Sequence, residues 1–326
     1  MRRFKNILCV LSRRNHSHTM ERAVSLAETN QARLRVVAVV DRVSVGMGMP
    51  DGGPVSAQLQ AALIREGEER VQATIEAFGG RVDMDPGTLV GTTFLEVIHE
   101  VLHHDHDLVI KAAEDPDWLD RLFGSDDMHL LRKCPCPGWL LNPGAPKRFA
   151  NVLAAVDLDD AQPERELEVR AALNDLVLQL AASLAMGNHA TLHVGHAWEA
   201  TGESTLRGGL IRAPEAQVDR YVEQVRETRR DAMDRLLHRT SGVVDPEVAR
   251  LQKHLVKGTP RKVIPALARD IDADLLVMGT VARTGIPGFI VGNTAEMILS
   301  QIGCSVMAVK PPGFLSPVEL PVVPNS

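Results

Sequence analysis

The pattern that decides the fold is Ala273-Asp274-Leu275-Leu276-Val277-Met278-Gly279, an acidic residue followed by an apolar run that ends on glycine. A short apolar run bounded by turn signals is typical of a strand buried on both faces, as in a parallel sheet. A second copy of the pattern, His106-Asp107-Leu108-Val109-Ile110-Lys111, lies earlier in the chain. The two copies indicate an internal repeat, which must be tested before any other feature is interpreted.

The spacing of other landmarks supports the repeat. Three pairs are each separated by 168 positions: Lys111 and Gly279, Gly124 and Gly292, Cys136 and Cys304. The starts of the two copies, Asn6 and Asn151, are separated by 145 positions instead. The second copy therefore carries about 23 additional residues, which we expect in its long first helix and around residues 199–214.

Apolar strands alternate with periodic helical stretches in both copies, which predicts two α/β units with parallel sheets. The predicted strands are 6–11, 34–40, 89–90, 107–110 and 137–141 in the first copy, and 151–156, 192–197, 251–256, 275–278 and 305–309 in the second. The breaker-rich segment Asn142–Pro146 separates the copies. We therefore predict a first unit at residues 1–145 and a second unit at residues 146–326.

Composition excludes several classes of protein. The 326 residues carry a formal net charge of −6 and only 3% aromatic residues, which argues against a basic nucleic-acid-binding surface and against stacking platforms. The four cysteines do not form a disulfide framework, and the Cys134-Pro135-Cys136 pair is interpreted as structural. The apolar run at residues 7–11 is too short for a signal-peptide core, and no run reaches the length of a membrane span. We expect a cytoplasmic protein with no membrane span.

The second copy places residues suited to an anionic ligand where its strands end. In parallel α/β sheets, ligands bind at the carboxyl ends of the strands. Asp157 follows the first strand and is suited to a ribose hydroxyl or a cation, although a turn-capping role is equally compatible with its position. Gly279-Thr280 ends the fourth strand, and Gly292-Asn293-Thr294 opens a helix that Asn293 or Thr294 is expected to cap. Arg283, in the loop between them, is suited to neutralising a phosphate.

The motif Gly279-x-x-Ala282-x9-Gly292-Asn293-Thr294 resembles the glycine loop of the universal stress protein family, written G-x2-G-x9-G-S/T. The resemblance covers essentially the whole chain as two tandem units. It is supported by the stretches 106–109, 129–135 and 292–296 and by the tail at 316–320.

The resemblance implies two tandem flavodoxin-like (Rossmann-like) units, each a five-stranded parallel sheet flanked by helices. It also implies ATP or a related nucleotide in the second unit, with Mg²⁺ as a further candidate. The resemblance further implies that Asp157 lies by the nucleoside, that Val194 lies beside the base, and that the loop glycines wrap the phosphates. The candidate nucleotide-binding residues are Asp157, Val194, Met278, Gly279, Thr280, Ala282, Arg283, Gly292, Asn293 and Thr294.

The first copy departs further from the family pattern than the second. In the second, Ala282 stands where a glycine is usual and Asn293 where Ser or Thr is usual. In the first, Lys111 and Glu114 stand at the first two glycine positions, Ser12 replaces the aspartate, and the segment from Glu114 to Asp127 is acidic. We therefore predict that the first unit binds no nucleotide.

Three functions are compatible with these residues. The first is a stress-response module that binds a nucleotide for signalling. The second is an interaction protein whose pocket is empty or holds an apolar or nucleotide-sugar-like ligand, and the third is a weak ATPase. No catalytic residues are assigned because nothing nominates a general base, so we do not expect a dedicated enzyme.

Partners and metals are less constrained by the sequence. The resemblance implies an internal pseudo-dimer through the last strands, 137–141 and 305–309, and a homodimer is a further possibility. A small-molecule nucleotide or another phosphate-bearing ligand is the expected partner, and nucleic acid is not. No metal site is assigned, and whether the cluster of His99, His103, His104 and His106 binds a metal is left open.

Overall fold

The computed structural model describes residues 4–12, 17–43, 53–113, 126–159, 164–208, 213–242, 250–280 and 292–320. These residues form two compact units. The first comprises the residues up to Lys147 together with the segment from Ser305 onward, and the second comprises the described residues from Arg148 to Cys304. The predicted division at residues 145 and 146 stays a prediction.

The first unit alternates strands and helices from its start. Its elements are β1 (Asn6–Leu11), α1 (Ser17–Asn30), β2 (Arg33–Val40), α2 (Pro54–Ala77), β3 (Met84–Val90), α3 (Thr93–His104), β4 (Leu108–Ala112), α4 (Asp126–Lys133) and β5 (Gly138–Leu141). The strands lie in the order β3-β2-β1-β4-β5, and all the pairs are parallel. Helices follow the strands β1 to β4, because the nearly continuous apolar strands need cover on both faces.

The second unit repeats this alternation. Its elements are β6 (Asn151–Ala155), α5 (Glu164–Asn188), β7 (Thr191–Trp198), α6 (Glu203–Gly208), α7 (Glu215–Thr240), β8 (Gln252–Lys257), α8 (Pro260–Asp270), β9 (Leu275–Gly279) and α9 (Asn293–Leu299). The strands lie in the order β9-β6-β7-β8, again all parallel. The α/β class with largely parallel sheets and flanking helices is therefore confirmed.

The last strand, β10 (Ser305–Val309), departs from the expected five strands per unit. It groups with the first unit, where it pairs antiparallel with β5 and Val306 lies opposite Leu140. All five residues of β10 are buried, so its apolar sequence shows only that both faces of its sheet are covered. Nothing in such a run specifies which sheet it joins. The internal pseudo-dimer itself stays a prediction.

The backbone contacts correct the register of the repeat. The carboxylate of Asp107 accepts the N–H groups of Lys5 and Asn6 at 2.7 and 3.1 Å. The carboxylate of Asp274 accepts those of Ala150 and Asn151 at 2.6 and 3.0 Å. The two aspartates are therefore equivalent, and they are 167 positions apart rather than 168.

This correction changes which residue stands at the glycine position of the first unit. Val10 pairs with Lys111, and Ala155 pairs with Met278. Lys111 is thus equivalent to Met278, and Ala112, not Lys111, is equivalent to Gly279. A shift of one residue matters because side chains on a strand alternate between its two faces.

The additional residues of the second copy lie where the sequence predicts them. Helix α5 has 25 residues against 14 in α1, and the short helix α6 follows β7. Within the described residues, one helical stretch, Glu166–Asn188, has the length and composition of a membrane span, with a mean hydropathy of 1.2. Half of it is buried within its unit, and α5 packs on β6, β7 and β9. A core helix meets the same criteria, so this is weak support for a span.

Candidate functional site

The turn that follows β6 is held from both sides by one amide side chain. The N–H of Asp157 donates to Asn174 Oδ1 at 3.0 Å, and Asn174 Nδ2 donates to the carbonyl of Asp157 at 2.7 Å. The N–H of Asp159 donates to Asp157 Oδ1 at 3.1 Å, which closes an Asx turn. The backbone is thus fixed while the Asp157 side chain remains 60% exposed.

Two arginines from different helices converge on this turn. Arg170 of α5 lies 3.3 Å from Asp157 Oδ2 through Nη1, and the same atom donates to the carbonyl of Asp159 at 2.7 Å. Arg229 of α7 donates to the carbonyl of Leu158 at 3.1 Å and lies 3.2 Å from Asp159 Oδ1. Both guanidinium side chains are largely buried and both carboxylates are accessible. The turn therefore offers two accessible carboxylates beside two anchored cations.

A buried histidine lies beneath the turn. His196 Nδ1 is 3.1 Å from the carbonyl of Val156 and 3.4 Å from the backbone nitrogen of Leu158. Burial lowers the pKa of His196, although the Val156 carbonyl and the Asp157 carboxylate act in the opposite direction. The imidazole is therefore neutral at pH 7 and supports the turn without adding charge.

Gly279 has a packing role that its sequence context did not reveal. A Cβ atom at this position would lie 2.5 Å from Cδ2 and 3.0 Å from Cγ of Leu173, so a side chain would force Leu173 to move. Leu173 precedes Asn174 on α5. The glycine thus lets α5 approach β9 closely, and that approach positions the residues that hold the Asp157 turn.

The residues on either side of the glycine loop are joined by a backbone hydrogen bond. The N–H of Gly292 donates to the carbonyl of Thr280 at 3.1 Å, so the two ends of the segment 281–291 meet. Asp157 and Thr280 each lie two positions beyond the paired residues Ala155 and Met278, so they share one edge of the sheet. Ala282 and Arg283 lie outside the described residues.

The expected cap of α9 is wrong. The N-cap is Gly292, which makes no side-chain bond, and Asn293 and Thr294 are exposed at the first two helical positions. The carbonyl of Gly292 accepts the N–H of Glu296 at 3.1 Å and so begins the helix. Asn293 and Thr294 sit inside the helix, where they cannot occupy the capping position.

Two further candidate residues are buried. Val194 lies in the middle of β7, paired with Ala154 and Lys253, and is fully buried. Met278 is also buried, within β9. Both support the sheet beneath the edge, and their roles beside a ligand stay predictions.

The sequence analysis missed four residues of the site, Arg170, Asn174, His196 and Arg229. Only Arg170 and Asn174 carry a local signal, because they are four positions apart on one helical face.

The first unit has an internal ion pair near the corresponding edge. Lys111 Nζ donates to Asp127 Oδ1 at 2.7 Å, and both side chains are buried. Asp127 lies in the first turn of α4, where a carboxylate is favoured by the helix dipole. A buried carboxylate thus occupies the place where an anionic group would be favoured.

The model of the universal stress protein family matches two segments of the chain, residues 3–141 and 149–310. The chain belongs to the universal stress protein family. The two matches confirm the tandem arrangement expected from the sequence.

The chain is also similar to named family members. Universal stress protein E of Salmonella typhi is 34% identical over 229 residues, which are 70% of this chain and 68% of that protein. The Universal stress protein E homolog of Haemophilus influenzae is 28% identical over 317 residues, covering 95% and 98% of the two chains. The resemblance to the tandem type that Universal stress protein E represents is thereby confirmed.

Solved structures agree on the fold. A functionally unknown protein from Pseudomonas aeruginosa matches with a TM-score of 0.64 and 25% identity over 95% of this chain and 94% of that one. One universal stress protein has been solved in complex with cAMP, but it matches half of this chain with a TM-score of 0.31. That likeness is too low to carry its ligand over to this chain.

Proposed function

We propose that this universal stress protein is a cytoplasmic stress-response module whose second unit binds ATP or a related nucleotide. The observation that carries the proposal is the turn at residues 157–159. Its backbone is fixed by Asn174, its carboxylates are accessible, and two anchored arginines stand beside it. It lies at the carboxyl edge of a parallel sheet, where ligands of such folds bind.

The chemistry of these groups suits the parts of a nucleotide. An accessible carboxylate accepts hydrogen bonds from ribose hydroxyls, so the Asp157 side chain is assigned to the nucleoside. Arg170 and Arg229 are assigned to the phosphates, because guanidinium groups pair well with phosphate oxygens. Gly292 closes the glycine loop, and Ala282 and Arg283 remain candidates within that loop. If Mg²⁺ accompanies the nucleotide, Asp157 and Asp159 are the carboxylates that suit it.

Signalling would follow from occupancy of this edge. A ligand bound at the turn at 157–159 would favour the conformation that it binds best, and a partner that recognises this edge would detect the difference. We propose no dedicated catalytic role, because His196 is buried and its Nδ1 lies against the Val156 carbonyl and the Leu158 backbone nitrogen. Any ATP hydrolysis is expected to be slow.

One observation favours a second candidate, an interaction protein that holds an apolar ligand or none. Gly279 is explained by its packing against Leu173 without any phosphate. Val194 is fully buried, so a base could not reach it without a rearrangement of the sheet. In this alternative the charged turn serves only to join α5 and α7 to the end of β6.

Calorimetric titration of the full chain with MgATP separates the two candidates. We expect binding at micromolar to millimolar concentration, weakened about 10- to 100-fold in Asp157→Asn, since a hydrogen bond to a charged group contributes about 1.5–3 kcal/mol. Asp234→Asn is the matched control, because Asp234 is a half-exposed aspartate of the same unit that pairs with Lys253. Absence of heat at millimolar MgATP, or equal affinity in Asp157→Asn and wild type, would contradict the proposal.

A further inference from the structure

A carboxylate and two imidazoles meet at the end of α3 in the first unit. Glu100 and His104 are four positions apart on the helix, and His106 follows two residues later, before β4. Asp105 between the histidines adopts a left-handed conformation with φ of 52°, and the N–H of His106 donates to the carbonyl of Val101 at 3.3 Å. This reversal of the backbone brings His106 back beside Glu100.

The donor atoms have the separations of ligands around one ion. His104 Nδ1 lies 3.1 Å and His106 Nε2 lies 3.6 Å from Glu100 Oε1, and all three atoms lie within 4.8 Å of one another. Zinc bonds of about 2.0–2.2 Å in a tetrahedron place neighbouring ligands about 3.3–3.6 Å apart. An ion therefore fits between these atoms with small side-chain adjustments.

His106 provides an independent indication of a ligand. Its side chain is 1% exposed, and neither ring nitrogen has a hydrogen-bond partner among the described residues. Buried polar atoms are normally satisfied, so an imidazole with two unsatisfied nitrogens needs an explanation. The contact between Nε2 and Glu100 is longer than a hydrogen bond, whereas a metal ion between the two atoms would satisfy both.

We propose that Glu100, His104 and His106 form a site for a divalent transition-metal ion of the zinc class. Neutral imidazoles and a carboxylate are ligands that suit zinc. The His104 side chain is half-exposed, so an ion can enter along it, and solvent can supply the fourth ligand. The site lies within the first unit and does not depend on the proposed nucleotide function.

The ion must compete with the Glu100 carbonyl, 3.3 Å from His104 Nδ1, and with Arg35. Arg35 Nε lies 2.5 Å from Glu100 Oε1, and its guanidinium also pairs with Asp85. Without an ion, Arg35 neutralises the buried Glu100 carboxylate. Ion binding requires the guanidinium to move away from Oε1, and its existing contact with Asp85 gives it an alternative partner.

The set differs from the one that the sequence suggested. His103 Nδ1 lies 2.9 Å from the carbonyl of His99, and His99 Nδ1 lies 3.7 Å from Glu96 Oε2. Neither residue belongs to the group around Glu100. His103 therefore provides a control on the same helix that is outside the site.

Zinc titration of the chelator-treated full chain, followed by calorimetry, tests the proposal. We expect one equivalent of Zn²⁺ to bind, with affinity reduced at least tenfold in His106→Gln and in Glu100→Gln and unchanged in His103→Gln. Because Glu100 and His106 are buried, their substitution risks unfolding the protein, so the half-exposed His104→Gln serves as the second site variant. It is expected to fold and to lose affinity by the same factor.

Cobalt substitution supplies a readout that does not depend on the buried variants. Co²⁺ bound by three protein ligands and solvent is expected to give an intense visible absorption band typical of four or five ligands, and His104→Gln should reduce it. Absence of stoichiometric Zn²⁺ binding at 100 µM would overturn the proposal. So would unchanged affinity in folded His104→Gln, or loss of affinity in His103→Gln equal to that in His104→Gln.

Discussion

One buried residue pair in the first unit consists of two opposite charges. Lys111 and Asp127 form this pair, with both side chains almost fully buried. A buried pair contributes little net stability, because the desolvation of both ions offsets their attraction. Removing one member is costly because the other is left buried and uncompensated. The two side chains therefore neutralise each other near the sheet edge of the first unit.

A double-mutant cycle measures this coupling. Lys111→Met alone is expected to destabilise the protein by about 3–5 kcal/mol, whereas Lys111→Met with Asp127→Leu is expected to recover most of that loss. Lys253→Met is the control, because Lys253 and Asp234 form an exposed pair worth about 0–1 kcal/mol. Urea unfolding gives these free energies, and a double variant no more stable than Lys111→Met would contradict the assignment.

A histidine pair in the second unit makes its stability depend on pH. His193 Nδ1 lies 2.9 Å from His254 Nε2, and His193 Nε2 lies 3.2 Å from Asn151 Oδ1. Burial, and then the charge of His254, lower the pKa of His193 from 6.5 to about 4. The unfolded chain therefore binds more protons than the folded chain between these values, and stability is lost as the pH falls through this range.

The variant His193→Gln tests this linkage. Between pH 7 and pH 5, wild type is expected to lose roughly 1–2 kcal/mol more stability than the variant, since each pKa unit corresponds to about 1.4 kcal/mol. Chemical unfolding at both pH values, with His189→Gln as the control on an exposed histidine, gives the comparison. Identical pH dependence in wild type and His193→Gln would show that the pair does not control it.

Among the elements, the contact of α5 with β9 determines the geometry of the candidate site. Gly279 on β9 accommodates Leu173 on α5. The same helix carries Arg170 and Asn174, which hold the turn after β6. A change at the glycine is therefore expected to act on the site through the position of the helix.

The coupling of Gly279 to Leu173 is measurable. Gly279→Ala is expected to cost about 1–3 kcal/mol from overpacking, and much less in a Leu173→Ala background where the space has been opened. Gly187→Ala is the control, because a Cβ atom there meets nothing within 4 Å. Additive effects of Gly279→Ala and Leu173→Ala would show that the glycine is required for another reason.

The elements also show what the sequence could predict. The alternation of strands and helices and the tandem repeat followed from apolar runs and their spacing, since local pattern specifies them. The register of the repeat was wrong by one residue because Lys111 and Gly279 both end apolar runs, and only the contacts of Asp107 and Asp274 align them. Arg229 escaped detection because it belongs to a helix far along the chain from the turn it contacts.

On the scale of the whole molecule, the two units carry different charged side chains at the carboxyl edges of their sheets. The second leaves the carboxylates of Asp157 and Asp159 accessible beside two arginines. The first places a buried ion pair near its edge and has Ser12 where the second has Asp157. In our proposal the second unit binds a nucleotide and the first serves a different purpose, for which the Glu100 cluster is the candidate.

Hydrogen exchange of the full chain, followed by mass spectrometry with and without saturating MgATP, tests this division most directly. We predict slower exchange at residues 156–159 and 292–294 when MgATP is present, and no change at residues 108–113. Protection at residues 108–113 without protection at residues 156–159 would contradict the account, as would exchange that MgATP leaves unchanged throughout the chain.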